Sequence, residues 1–283
     1  MKTPHLALGV LALAAPGFAL AFAGCGGSVQ STETKRADSP AVAVATADSQ
    51  PAGGSSAAKA ALEKAAKAEK YFFAFFWKAD DENTVAMRKV FDEAMASAAD
   101  RADAVAVKVT DAAEKEIVKE YGLERAPMPL VLAIAPNGAI TGGFPAPFSQ
   151  QDLSTGFATP GTQKCMKALQ DGKLVFLCVQ NAEMQASQDA MKGVRDFKAD
   201  VRFASATEVV MLDPKDTAEA SFLADLEIKP DASDAVTVFL APPGSPIGKF
   251  EGATTKEQLA EMLMKASSGC GPGGCGPGGC GPR

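Results

Sequence analysis

The sequence predicts an α/β protein in which one strand-and-helix pattern runs through the chain twice. Three observations predict it. Continuous apolar runs of strand length, Tyr71–Trp77 and Leu174–Val179, alternate with stretches whose apolar residues recur at helical spacing. Each series closes on a Pro/Gly turn between two strand patterns, Pro136-Asn137-Gly138 and Pro242-Pro243-Gly244. The second series follows the first by about 103–106 residues. A length of 283 residues accommodates two domains of ordinary size.

Before the first strand comes a leader. Lys2 is its one positive charge; an uncharged apolar stretch, broken by Pro16-Gly17, then leads into small residues. This is signal-peptide anatomy rather than a transmembrane span. It ends in Phe22-Ala23-Gly24-Cys25, which resembles a bacterial lipobox, although Phe22 stands where that motif usually has Leu. The resemblance implies that Cys25 is acylated and becomes the mature N-terminus. The alternative is an ordinary secretory signal with Cys25 a plain thiol. On either reading the protein is exported, and the lipobox makes it a membrane-anchored lipoprotein on the periplasmic or cell-surface side. Loss of Lys2 takes the net charge of −6 to −7. Residues 25–56 hold Cys25 and a Ser/Thr/Ala/Gly/Pro-rich stretch with no hydrophobic period, hence a flexible tether.

The first domain, 57–160, opens on an Ala/Lys/Glu helix over 57–70. Its aromatic strand is apolar on both faces and so is expected to be buried on both. A helix with Met87, Val90, Phe91, Ala94, Met95 and Ala98 on one face follows. Val105, Val107 and Val109 alternate as a strand. Asp111 and Glu114 read as a cap pair opening a helix that carries Ile117, Val118 and Tyr121 and stops at Gly122. Met128-Pro129 then enters the strand 130–135, and the hairpin ends near Phe144.

The second domain, 161–267, repeats this order. Its leading helix covers 162–171, and Met191, Val194 and Phe197 mark the helix after the buried strand. Strands follow at 209–212 and 236–240, and Asp216 and Glu219 repeat the cap pair. Thr255 and Gln258 cap a last helix with Leu259, Met262, Leu263 and Ala266 on one face.

Trp77 at the end of the aromatic strand and Met128-Pro129 before the third strand carry a family resemblance. The first copy resembles the thioredoxin fold, whose Trp-Cys-x-x-Cys begins at that strand end and whose cis-proline faces the redox pair. The resemblance covers 57–160 well and 161–267 more loosely. It implies two tandem thioredoxin-like domains, the second degenerate, each a central sheet with helices on both faces. It implies a cis Met128–Pro129 bond and a groove for extended peptides lined by Trp77, Lys78, Asp81, Met128 and Pro129. The chain departs from the family at the chemistry. Lys78 and Asp81 occupy the two cysteine positions; in the second copy they are Asn181 and Met184, with Gln180 for the Trp and no proline before Val236. Thiol–disulfide exchange needs an attacking thiolate and a resolving cysteine. The expectation is a redox-inactive, non-enzymatic binding or scaffolding module for an unknown protein or peptide partner, tied to the membrane through its N-terminal lipid.

Five further cysteines remain to be placed. Cys178, inside an apolar strand, reads as an inert core thiol, and a bridge to Cys165 on the preceding helix is conceivable in an oxidising compartment. Cys270, Cys275 and Cys280 punctuate a strict Cys-Gly-Pro-Gly-Gly period in a tail, 268–283, with nothing to bury and hence expected to be disordered. Three thiolates could hold Cu(I), or Zn(II) with a fourth ligand; inter-chain disulfides and no specific role are the alternatives. No other cofactor is expected, and an unconventional oxidoreductase using Cys165 or Cys178 is the third functional reading. Asp80, Asp81 and Glu82 read as a capping cluster before a helix. An acidic balance argues against nucleic acid. The single histidine, His5, lies in the leader, so a mature chain has no imidazole for a triad, a metal or a pH switch.

Overall fold

The computed structural model describes residues 56–184 and 186–267. Cys25, Cys270, Cys275 and Cys280 lie outside them. Among the described residues no helix is long and apolar enough to cross a membrane.

The first domain runs α1 (Ala57–Lys67), β1 (Tyr71–Trp77), α2 (Glu82–Ser97), β2 (Ala102–Lys108), α3 (Lys115–Glu120), β3 (Leu130–Ile134), β4 (Ile140–Pro145) and α4 (Gln150–Ser154). The second runs α5 (Pro160–Gln170), β5 (Leu174–Val179), α6 (Ser187–Ala199), β6 (Thr207–Leu212), α7 (Ala220–Asp225), β7 (Val236–Ala241), β8 (Ser245–Glu251) and α8 (Lys256–Ser267). The sheets have the orders β2-β1-β3-β4 and β6-β5-β7-β8. In each, the first two strands pair parallel, the third pairs antiparallel with the first, and the fourth antiparallel with the third. These are two tandem thioredoxin-like domains.

Strand alternation divides each core in two. Phe72, Ala74 and Phe76 pack with α1 and α3, while Tyr71, Phe73 and Phe75 pack with α2 and α4. In the second sheet Val175, Leu177 and Val179 meet α5 and α7, and Phe176 and Cys178 meet α6 and α8. Helices therefore cover both faces of both sheets. Full burial of four phenylalanines of β1 explains why the run carries no polar position. The helix α4 has no apolar period long enough to announce it; a Ser149/Asp152 capping box starts it and Leu153 anchors it.

The cap pairs differ from expectation. Asp111 and Asp216 do accept from the N–H two residues on, at 2.9 Å each. Glu114 instead turns back across the domain to the start of α1. Its Oε1 accepts from the N–H groups of Ala57 and Ala58 at 3.0 and 3.3 Å, and its Oε2 meets the Ser56 hydroxyl. Glu219 does the same for α5, accepting from the Gly161 N–H at 2.6 Å. A carboxylate at a helix N-terminus satisfies orphan donors and the dipole together, which is why both are buried. Thr255 and Gln258 cap α8 as expected, through N–H contacts of 2.9 and 3.3 Å.

The duplication extends to the backbone. The second residue after each leading helix is left-handed: Glu69 (φ 55°) after α1 and Gly172 (φ 75°) after α5. The same pairing follows α3 and α7, with Gly122 (φ 64°) and Glu227 (φ 55°). Each pair holds one glycine and one glutamate in a conformation that favours glycine. Glu69→Gly and Glu227→Gly are each expected to stabilise the protein by about 0.5–1 kcal/mol, read as a higher urea midpoint at unchanged slope.

The two domains meet along α5. The Gln170 side chain pairs with both backbone groups of Ile140, accepting from its N–H at 2.9 Å and donating to its carbonyl at 2.7 Å. The Tyr71 hydroxyl donates to the Ala158 carbonyl and accepts from the Ala158 N–H, both at 2.8 Å, and Gln163 donates to it at 2.9 Å. Asn137 donates to the Gln163 carbonyl at 3.0 Å.

Candidate functional site

The candidate groove lies at one end of the first sheet. β1 and β3 pair antiparallel as far as Phe76 and Leu130, so the next residues in register, Trp77 and Pro129, stand side by side. The Met128–Pro129 bond is cis. Pro129 is buried and Met128 half-buried, and Met128 makes no backbone hydrogen bond among the described residues. Beyond Trp77 the chain turns through exposed Lys78, Ala79 and Asp80 into α2. Trp77, Lys78, Met128 and Pro129 are thus neighbours along the chain or across the ladder, and Asp81 follows at the start of α2.

One of them is held by a partner the sequence concealed and another by the cap that the sequence announced. Trp77 is half-buried, and the Lys108 ammonium sits over its ring, 4.5 Å from the centroid. Lys108 in turn faces Asp80 at 3.9 Å. Lys108 pairs with Trp77 across the parallel β1–β2 ladder, a neighbour that no local pattern announces. Asp81 is the N-cap of α2 and accepts from the Thr84 N–H at 2.7 Å. The Thr84 N–H and hydroxyl hold its carboxyl below the ordinary aspartate value. Asp81 therefore acts as a structural cap, as the capping reading expected, and the position a reactive thiol takes in the family is Lys78, which is exposed.

Hydrogen bonds lace the matching end of the second sheet, where the buried Gln180 Oε1 is left without a hydrogen-bond partner among the described residues. Asn181 donates to Asp213 at 3.2 Å and accepts from the Glu183 N–H at 3.0 Å. The Ser187 hydroxyl donates to the carbonyls of Asn181 and Met184, at 3.2 and 2.9 Å. Met184 is buried. Lys215 and Glu183 pair across this end at 2.6 Å.

The two cysteines of the body lie in the core of the second domain. Cys165 and Cys178 are both free and buried, which removes the conceivable bridge between them. The reason is strand alternation: Cys165 on α5 packs with Val175, Leu177 and Val179, while Cys178 points to the other face with Phe176. Burial pushes the Cys165 thiol up to about 12, helped by the Glu219 charge and opposed by Lys164. Burial likewise pushes Cys178 up to about 12, against a hydrogen bond with Thr237. Among the described residues no group of three or more His, Cys, Asp or Glu could hold a metal ion.

No protein-family model matches the chain, and no curated protein matches it. Solved structures do. The first two thioredoxin domains of Saccharomyces cerevisiae Eps1p are similar at 8% identity, over 77% of this chain and 98% of that one, with a TM-score of 0.28. Human ERp44 is similar at 10% identity, over 72% of this chain and 54% of that one, with a TM-score of 0.32. A disulphide isomerase from Xylella fastidiosa Temecula1 is similar at 17% identity, over 39% of this chain and 93% of that one, with a TM-score of 0.31. At these identities and scores the likeness concerns fold and says nothing of activity.

Proposed function

We propose that the chain is an exported, lipid-anchored and redox-inactive thioredoxin-like protein that binds extended polypeptide at the Trp77–Pro129 end of its first domain. The observation that carries this reading is the occupancy of the reactive positions. Lys78 and Asp81 stand there, while Cys165 and Cys178 are buried on opposite sides of the other sheet. A thiol held at about 12 supplies almost no thiolate near neutral pH. The groove end supports binding because Met128 presents backbone groups without an internal partner beside a half-buried aromatic ring. An extended peptide could pair with such groups as an added strand does. Among the described residues the corresponding end of the second domain offers no aromatic ring, and Asn181, Met184 and Ser187 bond to one another there.

Trp77 is the one tryptophan of the chain and so reports directly on the groove. Titrating the full chain with carboxymethylated insulin B chain is expected to shift Trp77 emission saturably. The same full chain is expected to leave insulin disulfides unreduced above a buffer control. Turnover that disappears in Cys165→Ser or Cys178→Ser, or an unchanged Trp77 emission, would overturn the reading.

A further inference from the structure

A second cleft lies between the domains, at the end of the first sheet away from Trp77. Its volume is about 440 Å³, within the range of small-ligand sites, and domain interfaces are where such sites collect. Phe72 and Ala135 lie in its buried floor, and Leu62, Tyr121 and Ile140 form half-buried walls. The Gln170–Ile140 pairing ties the wall from α5 to the wall from β4, so both domains are needed to build it.

The charges around this cleft do not cancel. Lys167 is paired with Asp171, and Lys70 with Asp103 at 3.6 Å and with the Ala99 carbonyl at 2.8 Å. That leaves Glu63 and Glu120, neither of which has an ion-pair partner among the described residues. The Tyr121 hydroxyl makes no hydrogen bond among those residues either. Burial, with the adjacent Glu120 charge adding to it, pushes its hydroxyl up to about 12, so the ring stays neutral. The larger cleft beside α6 and α8, about 690 Å³, also has two carboxylates without an ion pair among the described residues, Asp189 and Glu257, but no aromatic ring lines it. There Asp200 is taken by Arg202 and Lys256, and Lys192 by Asp196.

We propose that the inter-domain cleft binds an alkylammonium group carried on an apolar stem, with the stem against Phe72, Leu62 and Ile140 and the cation between Tyr121, Glu63 and Glu120. An aromatic wall and two unpaired carboxylates favour a cation, and the apolar floor favours one that arrives on carbon rather than as a hydrated metal. A free aliphatic amine and a lysine side chain of a protein share this chemistry.

Calorimetric titration of the full chain at low salt with hexylamine, hexan-1-ol and hexanoate tests it. Hexylamine is expected to bind at least about tenfold tighter than hexan-1-ol, with no binding of hexanoate. Glu63→Gln combined with Glu120→Gln is expected to weaken hexylamine about tenfold without moving the melting temperature, because both are surface changes. Nα-acetyl-lysine methylamide separates the sources: affinity equal to that of hexylamine points to a lysine side chain, and tenfold weaker affinity to a free amine. Equal binding of hexan-1-ol, no heat with hexylamine, or an unchanged affinity in the double variant would overturn the proposal.

Discussion

Gly193→Ala is expected to destabilise the second domain by about 3 kcal/mol or more, through overpacking against backbone. Gly193 is where α6 crosses the segment entering α8. A Cβ built there would lie 2.2 Å from the Thr254 carbonyl oxygen and 2.6 Å from its carbon. Neither can step aside easily, because the Thr254 hydroxyl donates to the Ala190 carbonyl at 3.1 Å and pins the strand exit to α6. For a domain of this size each kcal/mol moves the melting temperature by about 4–8 °C, so the far-UV transition should fall by roughly 12–24 °C. Trp77 emission, which reports on the first domain, should shift less. Loss of both signals together at the lower temperature would show that the domains unfold as one unit through the α5 interface. A melting temperature within 2–3 °C of the parent would mean that α6 and α8 can part without cost.

What could be read from the chain, and what could not, follows the range of each interaction. The two apolar strands, the amphipathic α2 and α6, and the hairpin turns are spelled in consecutive residues, and the structure has them all. Met128-Pro129 was legible through the resemblance to the thioredoxin fold, and register brings Pro129 beside Trp77. Lys108 over Trp77 was not, since a parallel partner lies a whole helix away in sequence. The separation of Cys165 from Cys178 was implicit in strand parity, but which face α5 covers is a tertiary fact. The short α4 hides for another reason: five residues cannot display a helical period, and only Ser149 and Asp152 mark it. Glu114 and Glu219 misled more instructively. Each stands three residues after an Asp at a helix start, where a local cap is the natural expectation, yet each spends its carboxylate on a helix 57 or 58 residues earlier.

That long-range use makes Glu114 the more costly of the two to lose. Its carboxylate receives three donors, the Ser56 hydroxyl and the N–H groups of Ala57 and Ala58, in a buried position. Glu114→Ala leaves those donors facing a cavity and removes a charge from the positive end of α1. The expected cost is about 3 kcal/mol, combining a lost charged cap with buried donors left unpaired. Glu219 is held by one donor, the Gly161 N–H, and its Oε2 has no hydrogen-bond partner. There is no room for more: a Cβ at Gly161 would sit 2.7 Å from that oxygen. Glu219→Gln keeps the acceptor for Gly161 but loses the charge facing the α5 N-terminus and puts amide donors where Oε2 has no partner, so it should cost about 0.5–1 kcal/mol. Glu114→Gln should cost about 1–2 kcal/mol, since it keeps the shape but loses the charge facing the α1 N-terminus. Urea titration of the full chain, followed by Trp77 emission for the first domain and far-UV dichroism for both, reads the three variants side by side. Equal losses in Glu114→Gln and Glu219→Gln would show that the two carboxylates do the same work despite their different partners. A larger loss at Glu219 would place the stronger latch in the second domain, the reverse of what the hydrogen bonds predict.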